Sequence, residues 1–137
     1  MDAFDADVLI YAAAPGHPLG RRVLALLAAQ PDAPAWIGST LLVPEILTKP
    51  LRDGAEAELL ALTAILGRLE LRPLDEATAQ LAVALGAVHR LNAADAVHLA
   101  TAVGAGAERF VTNNRRDFPQ TIPEVVISYP DELPESA

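Results

Sequence analysis

Residues 91–118 read LNAADAVHLATAVGAGAERFVTNNRRDF. The order of residue types specifies a helix, a stop, a strand and a polar turn. Asn92 is a good N-cap for an Ala-rich apolar helix, and Gly104 and Gly106 are placed to end it. The helix carries Asp95 in its first turn. Residues 109–112, RFVT, then read as a short apolar strand, followed by Asn113, Asn114 and Asp117. A carboxylate near a helix start and polar oxygens at a strand exit can converge on one point. Asp5 and Glu45 occupy the same sort of position elsewhere in the chain.

Working outward, the same alternation recurs. Residues 4–10, with Val8, Leu9 and Ile10 in one aliphatic run, read as a buried strand, on which Asp5 and Asp7 share a side. Pro15, Gly16 and Pro18 mark a loop before a helix over 19–30, which Pro31 and Pro34 stop. Trp36 and Ile37 form a short extended piece. Ser39 is an N-cap candidate for TLLVPEILTKPL, with Pro44 tolerated in the first turn and Pro50 limiting the far end. Gly54 opens a helix over 55–69. LELRPL, 69–74, is a strand candidate, and Asp75 caps a helix over 76–90. EVVISY, 124–129, is a last strand candidate, and PDELPESA reads as a polar, frayed tail. The expectation is an α/β domain over 1–129 with a mainly parallel sheet of about four or five short strands flanked by helices, and a tail at 130–137.

Composition agrees with a single domain. The chain has 137 residues, and 52% of them are hydrophobic, enough for a core without disulfides or structural metals. With three Phe, two Tyr and one Trp, that core must be filled by small aliphatics. Cys is absent, which removes disulfides, thiolate metal sites and a thiol nucleophile, and is compatible with a reducing cytoplasm. The N-terminal MDAFDADVLIYA has no positive region, so a secretory signal is not expected, and no apolar run reaches the ~18–20 residues of a membrane span. The net charge of −8 disfavours broad attraction to nucleic acid. A nuclease of this charge would need metal ions, clustered Arg or a partner to hold phosphates.

The acids are expected at the carboxyl ends of the strands, where open α/β sheets bind ligands. Carboxylates drawn together repel, and a divalent cation relieves the repulsion. An all-oxygen donor set with no Cys favours a hard ion. Each residue also has an ordinary explanation. Asp95 is at N3, where a carboxylate suits the helix dipole. Glu45 alone reads as a first-turn surface residue, and Asp7 as a cap or turn residue. Asn113 and Asn114 are common turn formers, and Asp117 can pair with Arg115 or Arg116. His98, one turn after Asp95, reads more readily as a packed, hydrogen-bonded histidine than as a base. A phospho-acceptor receiver domain also gathers acids, but it needs a Lys at a late strand end, and the only Lys is Lys49.

In their order, FDADVLIYA, STLLVPEIL, AADAVHLATAVGAGAERFVTNN and RRDF resemble the PIN-domain nucleases, and most closely the small VapC-like ribonuclease toxins of type II toxin–antitoxin pairs. The matching pieces span residues 4–118. The resemblance implies a three-layer PIN-like fold and a Mg²⁺-dependent endoribonuclease, with Mn²⁺ able to substitute. It implies that Asp5, Glu45 and Asp95 hold the metal and that Asp117 joins them in catalysis. Thr112, Asn114, Arg115 and Arg116 would position the substrate. Asp7 falls where the family often has Asn or Ser. Asn114 falls where many members have an acid, so the fourth acidic role is lost or moved to Asp117. The resemblance further implies an RNA substrate, a homodimer, a cognate antitoxin, a cytoplasmic location and no membrane. The alternative is a catalytically weakened PIN-like module that binds RNA or regulates.

Overall fold

The computed structural model describes residues 1–29 and 36–135. The chain enters through strand β1 (Asp2–Phe4) and turns at Asp5, whose extended backbone and side chain cap helix α1 (Ala6–Ala13). The run over 4–10 is therefore a strand end followed by a helix, not a strand. A short, buried aliphatic run suits either state. Here Asp5 Oδ1 accepts the Ala6 N–H at 2.8 Å, and Val8, Leu9 and Ala12 form one buried helical face. Asp5 and Asp7 consequently do not share a strand face.

Helix α2 (Pro18–Ala28) begins with proline at its first position and is capped by His17, whose Nδ1 accepts from Leu19 and Gly20. The helix stops expected at Pro31 and Pro34 lie outside the described residues. Strand β2 (Trp36–Ser39) is longer than the expected Trp36–Ile37 piece. Ser39 ends it and accepts the Leu41 N–H instead of capping helix α3 (Leu42–Arg52), which has no side-chain cap. Pro50 lies inside α3. So near the C-terminus it forfeits one hydrogen bond without ending the helix, which stops at Gly54 with φ +66°.

Helix α4 (Glu56–Leu66), strand β3 (Glu70–Arg72), helix α5 (Glu76–His89) and helix α6 (Ala93–Gly104) follow. Asp75 and Asn92 cap the last two through Thr78 and Asp95, each at 2.8 Å, as read from sequence. Strands β4 (Arg109–Val111) and β5 (Val126–Ser128) complete the sheet. Residues 130–133, expected to be part of a frayed tail, are packed. Pro130–Glu132 is a 3-10 turn, Leu133 is 2% exposed, and Arg22 donates to the Asp131 and Leu133 carbonyls at 2.8 Å.

The sheet is wholly parallel, in the order β3-β2-β1-β4-β5. β1 and β4 register with Asp2 opposite Arg109 and Phe4 opposite Val111. The Asp2–Arg109 pair is bidentate, at 2.7 and 3.1 Å, and fixes that register at the amino end. One apolar layer joins the sheet to α5 and α6 through Leu85, Leu99, Phe110 and Ile127. The other joins it to α1–α4 through Phe4, Val23, Ile37's neighbour Trp36, Leu62 and Val111. This is the expected three-layer arrangement. Among the described residues, no helix is long and apolar enough to cross a membrane.

Candidate active site

The strand order reverses between β1 and β4. The chain moves outward from β1 to β3 on one side, then returns to build β4 and β5 on the other. The carboxyl ends of this pair are the switch point, where an open α/β sheet leaves a crevice. Asp5 leaves β1 there, and Thr112, Asn113 and Asn114 leave β4.

Asp5 is 7% exposed and fully engaged. Its Oδ1 caps α1, and its Oδ2 accepts the Thr112 hydroxyl at 2.8 Å. Its own N–H donates to Val111 O at 2.9 Å, extending the β1–β4 ladder by one bond. Thr112 is wholly buried, and its Oγ1 accepts the Asn114 N–H at 3.1 Å. Thr112 therefore ties Asp5 to the turn that carries the remaining polar groups. Asn113 donates its backbone N–H to Asp7 Oδ2 at 3.0 Å and its side-chain amide to the Tyr11 hydroxyl at 3.3 Å.

Asn114 and Asp117 close on each other. The Asn114 amide donates to Asp117 Oδ2 at 3.0 Å, and its Oδ1 accepts the Asp117 N–H at 3.3 Å. Both ends of the Asn114 side chain are thus committed. Glu45, from the first turn of α3, hydrogen-bonds through Oε1 to His98 Nε2 of α6. Arg115 is held at 2.7 Å by Asp131 and lies 4.3 Å from the Tyr129 ring centroid, so it stabilises the C-terminal turn. Arg116 is exposed, and no ion pair of it is found among the described residues.

The electrostatics identify the group. Asp95 has its carboxyl pushed up from 3.8 to about 6, first by burial, then by the charges of Asp5 and Asp117; His98 opposes the shift and Glu45 adds to it. All three of the other acids named from sequence therefore act on Asp95. Asp7 is likewise pushed up to about 6 by burial and then by Asp5, while the backbone N–H groups of Asn113 and Val8 pull it down. Asp7 and Tyr11 are additions to the set. Their signal in the sequence was an acid and a phenol one helical turn apart, visible only once α1 is read as a helix.

The donor set suits a hard cation in chemistry and charge: all oxygen, net negative and partly desolvated. Among the described residues, however, no three Asp, Glu or His side chains stand close enough together to hold an ion. The acids surround the crevice, and several of their oxygens are spent on protein hydrogen bonds.

A sequence profile of the PIN domain family matches residues 3–122. Among solved structures, the fold is similar to a toxin–antitoxin complex from Klebsiella pneumoniae, with a TM-score of 0.75 at 22% identity over 95% of this chain and 98% of that one. It is also similar to DNA-bound VapBC from Salmonella typhimurium, with a TM-score of 0.76 at 19% identity over 94% of this chain and 97% of that one. VapBC2 from Rickettsia felis, bound to a DNA fragment from their promoter, has a TM-score of 0.73 at 18% identity over 93% and 97%. Identities this low carry the fold. No curated protein matches the chain.

Proposed function

The chain belongs to the PIN domain family, and from that premise we propose that it is a metal-dependent endoribonuclease, the toxin of a type II toxin–antitoxin pair. The observation that carries the reading is the gathering of Asp5, Glu45 and Asp117 around Asp95 at the strand-end crevice, which together with burial raises the Asp95 carboxyl. A site that gathers negative charge is destabilised unless a cation or protons compensate it.

In this reading Asp5, Glu45 and Asp95 would hold Mg²⁺, or Mn²⁺ in its place, with a shift of side chains on binding, and Asp117 would complete the acidic set. The bound metal supplies a lowered water pKa and neutralisation of the charge developing on phosphoryl oxygens. The chain's own residues do the rest. Thr112 fixes the Asp5 carboxylate by donating to Oδ2. Asn114 orients Asp117 through the paired amide contacts. Arg116, exposed beside the turn, is the available phosphate contact, since Arg115 is committed to Asp131. The products of in-line attack are a 5′-phosphate and a 3′-hydroxyl. The proposal extends to a cytoplasmic protein that forms a homodimer and is neutralised by an antitoxin.

The test is incubation of the purified protein with structured RNA in Mg²⁺, in Mn²⁺ and in EDTA, with Asp95→Asn as control. Cleavage is expected with either metal and not in EDTA, and Asp95→Asn is expected to lower it by at least ~100-fold while the circular dichroism spectrum stays unchanged. Cleavage that persists in EDTA, or equal cleavage by the variant, overturns the reading.

One observation favours a second reading. Asn114 is a neutral amide spent wholly on Asp117, in a chain of net charge −8. A PIN-like module that binds RNA or a partner but cleaves poorly would have this turn. It predicts Mn²⁺ binding without strand scission in the same assay.

A further inference from the structure

His98 is 2% exposed on the most buried helix of the protein, where every residue from Ala96 to Ala102 is buried. A core position of this kind is normally filled by an apolar side chain. A histidine there carries a desolvation cost, and its Nδ1 has no hydrogen-bond partner among the described residues. Packing alone therefore gives a poor account of the imidazole. Its one polar contact is Nε2 with Glu45 Oε1. A carboxylate only accepts, so Nε2 carries the hydrogen of the Glu45 contact.

The contact joins two elements that otherwise touch little. α3 packs against α4 and α1, while α6 packs against α5 and the sheet. Among the described residues, His98–Glu45 is the one side-chain hydrogen bond between α3 and α6. Glu45 has a long side chain that is 32% exposed, whereas the His98 side chain is 1% exposed. A flexible acid on a peripheral helix is thus tied to a rigid ring one turn from Asp95. The bland explanation for Glu45, a solvated first-turn residue, leaves this link without a purpose.

We propose that His98 is a positioning residue for Glu45: its Nε2–H holds that carboxylate against α6, the helix that carries Asp95, so that the two acids keep a fixed relation when a divalent cation binds. The inference rests on the metal reading of the site given above. Ligand-orienting partners of this type affect metal affinity without touching the metal.

The test is a double-mutant cycle read by Mn²⁺ titration calorimetry on the full chain stripped of metal. The proteins are wild type, His98→Leu, Glu45→Gln and the double variant, with His98→Gln added because its amide can present an N–H near the Nε2 position. His98→Leu is expected to weaken Mn²⁺ binding by about 10-fold in the wild-type background, and His98→Gln by no more than about 3-fold. In the Glu45→Gln background His98→Leu should change nothing further, because the residue it positions is already disabled. A merely structural role would weaken binding equally in both backgrounds, and that result overturns the proposal, as does wild-type affinity in His98→Leu. Thermal unfolding in EDTA identifies any variant that fails to fold, and His98→Gln then decides between the two outcomes against Glu45→Gln. Wild type that binds no Mn²⁺ ends the metal reading itself and this inference with it, whereas wild-type binding with an additive cycle ends only this inference.

Discussion

At Asp95 two demands meet on one carboxylate. At N3 of α6 it suits the helix dipole, and its N–H is satisfied by Asn92. Burial and three acidic neighbours nevertheless push its pKa from 3.8 to about 6. The folded state therefore binds this proton more tightly than the unfolded chain does. The contribution to stability is unfavourable above pH 6 and is relieved as the pH falls through 6 toward 3.8. Asp7, shifted in the same direction, adds to the effect. Wild type in EDTA is expected to melt higher at pH 5.5 than at pH 7.5, and Asp95→Asn should melt no lower than wild type at pH 7.5 and show a flatter pH dependence. A cation that binds only the folded state gives similar relief at neutral pH: at one hundred times Kd about 2.7 kcal/mol, a melting shift on the order of 10 °C for a domain of this size. Millimolar Mn²⁺ should produce that shift in wild type and little in Asp95→Asn. Equal shifts in the two proteins would leave Asp95 as a helix-start residue and nothing more.

At the scale of elements, the readable parts were those with chemical punctuation. Asp75 and Asn92 announced α5 and α6 because a cap is a local, one-residue signal. Residues 4–10 had no such clarity, because Val8, Leu9 and Ile10 are buried in either state and Asp5 was not recognised as a cap. Asp5 was still assigned to the right place, since it stands at the end of β1 whichever way the next residues are read. The Arg115–Asp131 ion pair was not legible, because Asp131 lies in a tail expected to be frayed. Close approach of helices was not readable either. Gly20 lets α2 cross α1 so closely that a Cβ there would lie 2.0 Å from the Tyr11 carbonyl oxygen. Gly20→Ala should therefore force the helices apart and cost about 3 kcal/mol. Gly67→Ala, with ordinary φ and no contact under 3.4 Å, should cost under about 0.5 kcal/mol. Urea unfolding of the two variants checks this, and equal midpoints would contradict the packing argument. Because Tyr11 bonds to Asn113, Gly20→Ala should also loosen the turn after β4.

For the molecule as a whole, the α/β class and the parallel sheet followed from alternating segments and apolar strands, and the three layers from the family resemblance. The position of the candidate site did not follow from any one segment. It depends on strand order, and no local pattern in the sequence says that β4 lies beside β1. The proposed homodimer belongs to this scale too. α5 leaves Val83 and Val88 each 73% exposed, and Leu51 and Leu60 are 67% and 74% exposed on α3 and α4. Light scattering at micromolar concentration is expected to give twice the chain mass. A monomer there would remove the homodimer from the proposal without touching the site.

The Asp5–Thr112 hydrogen bond closes a loop of 107 residues. Of the acids gathered in the crevice, Asp5 is synthesised long before Asp95 and Asp117. β1 emerges from a ribosome long before β4 exists to pair with it, and the Asp5 Oδ2 partner arrives with Thr112. Before β4 is made the chain can build α1 to α5 and still have no crevice. Whatever chemistry the site performs is therefore expected only once the chain has been made through Thr112 and β4 has paired with β1. A protein whose product harms its own cell would be silent for as long as it remains a fragment.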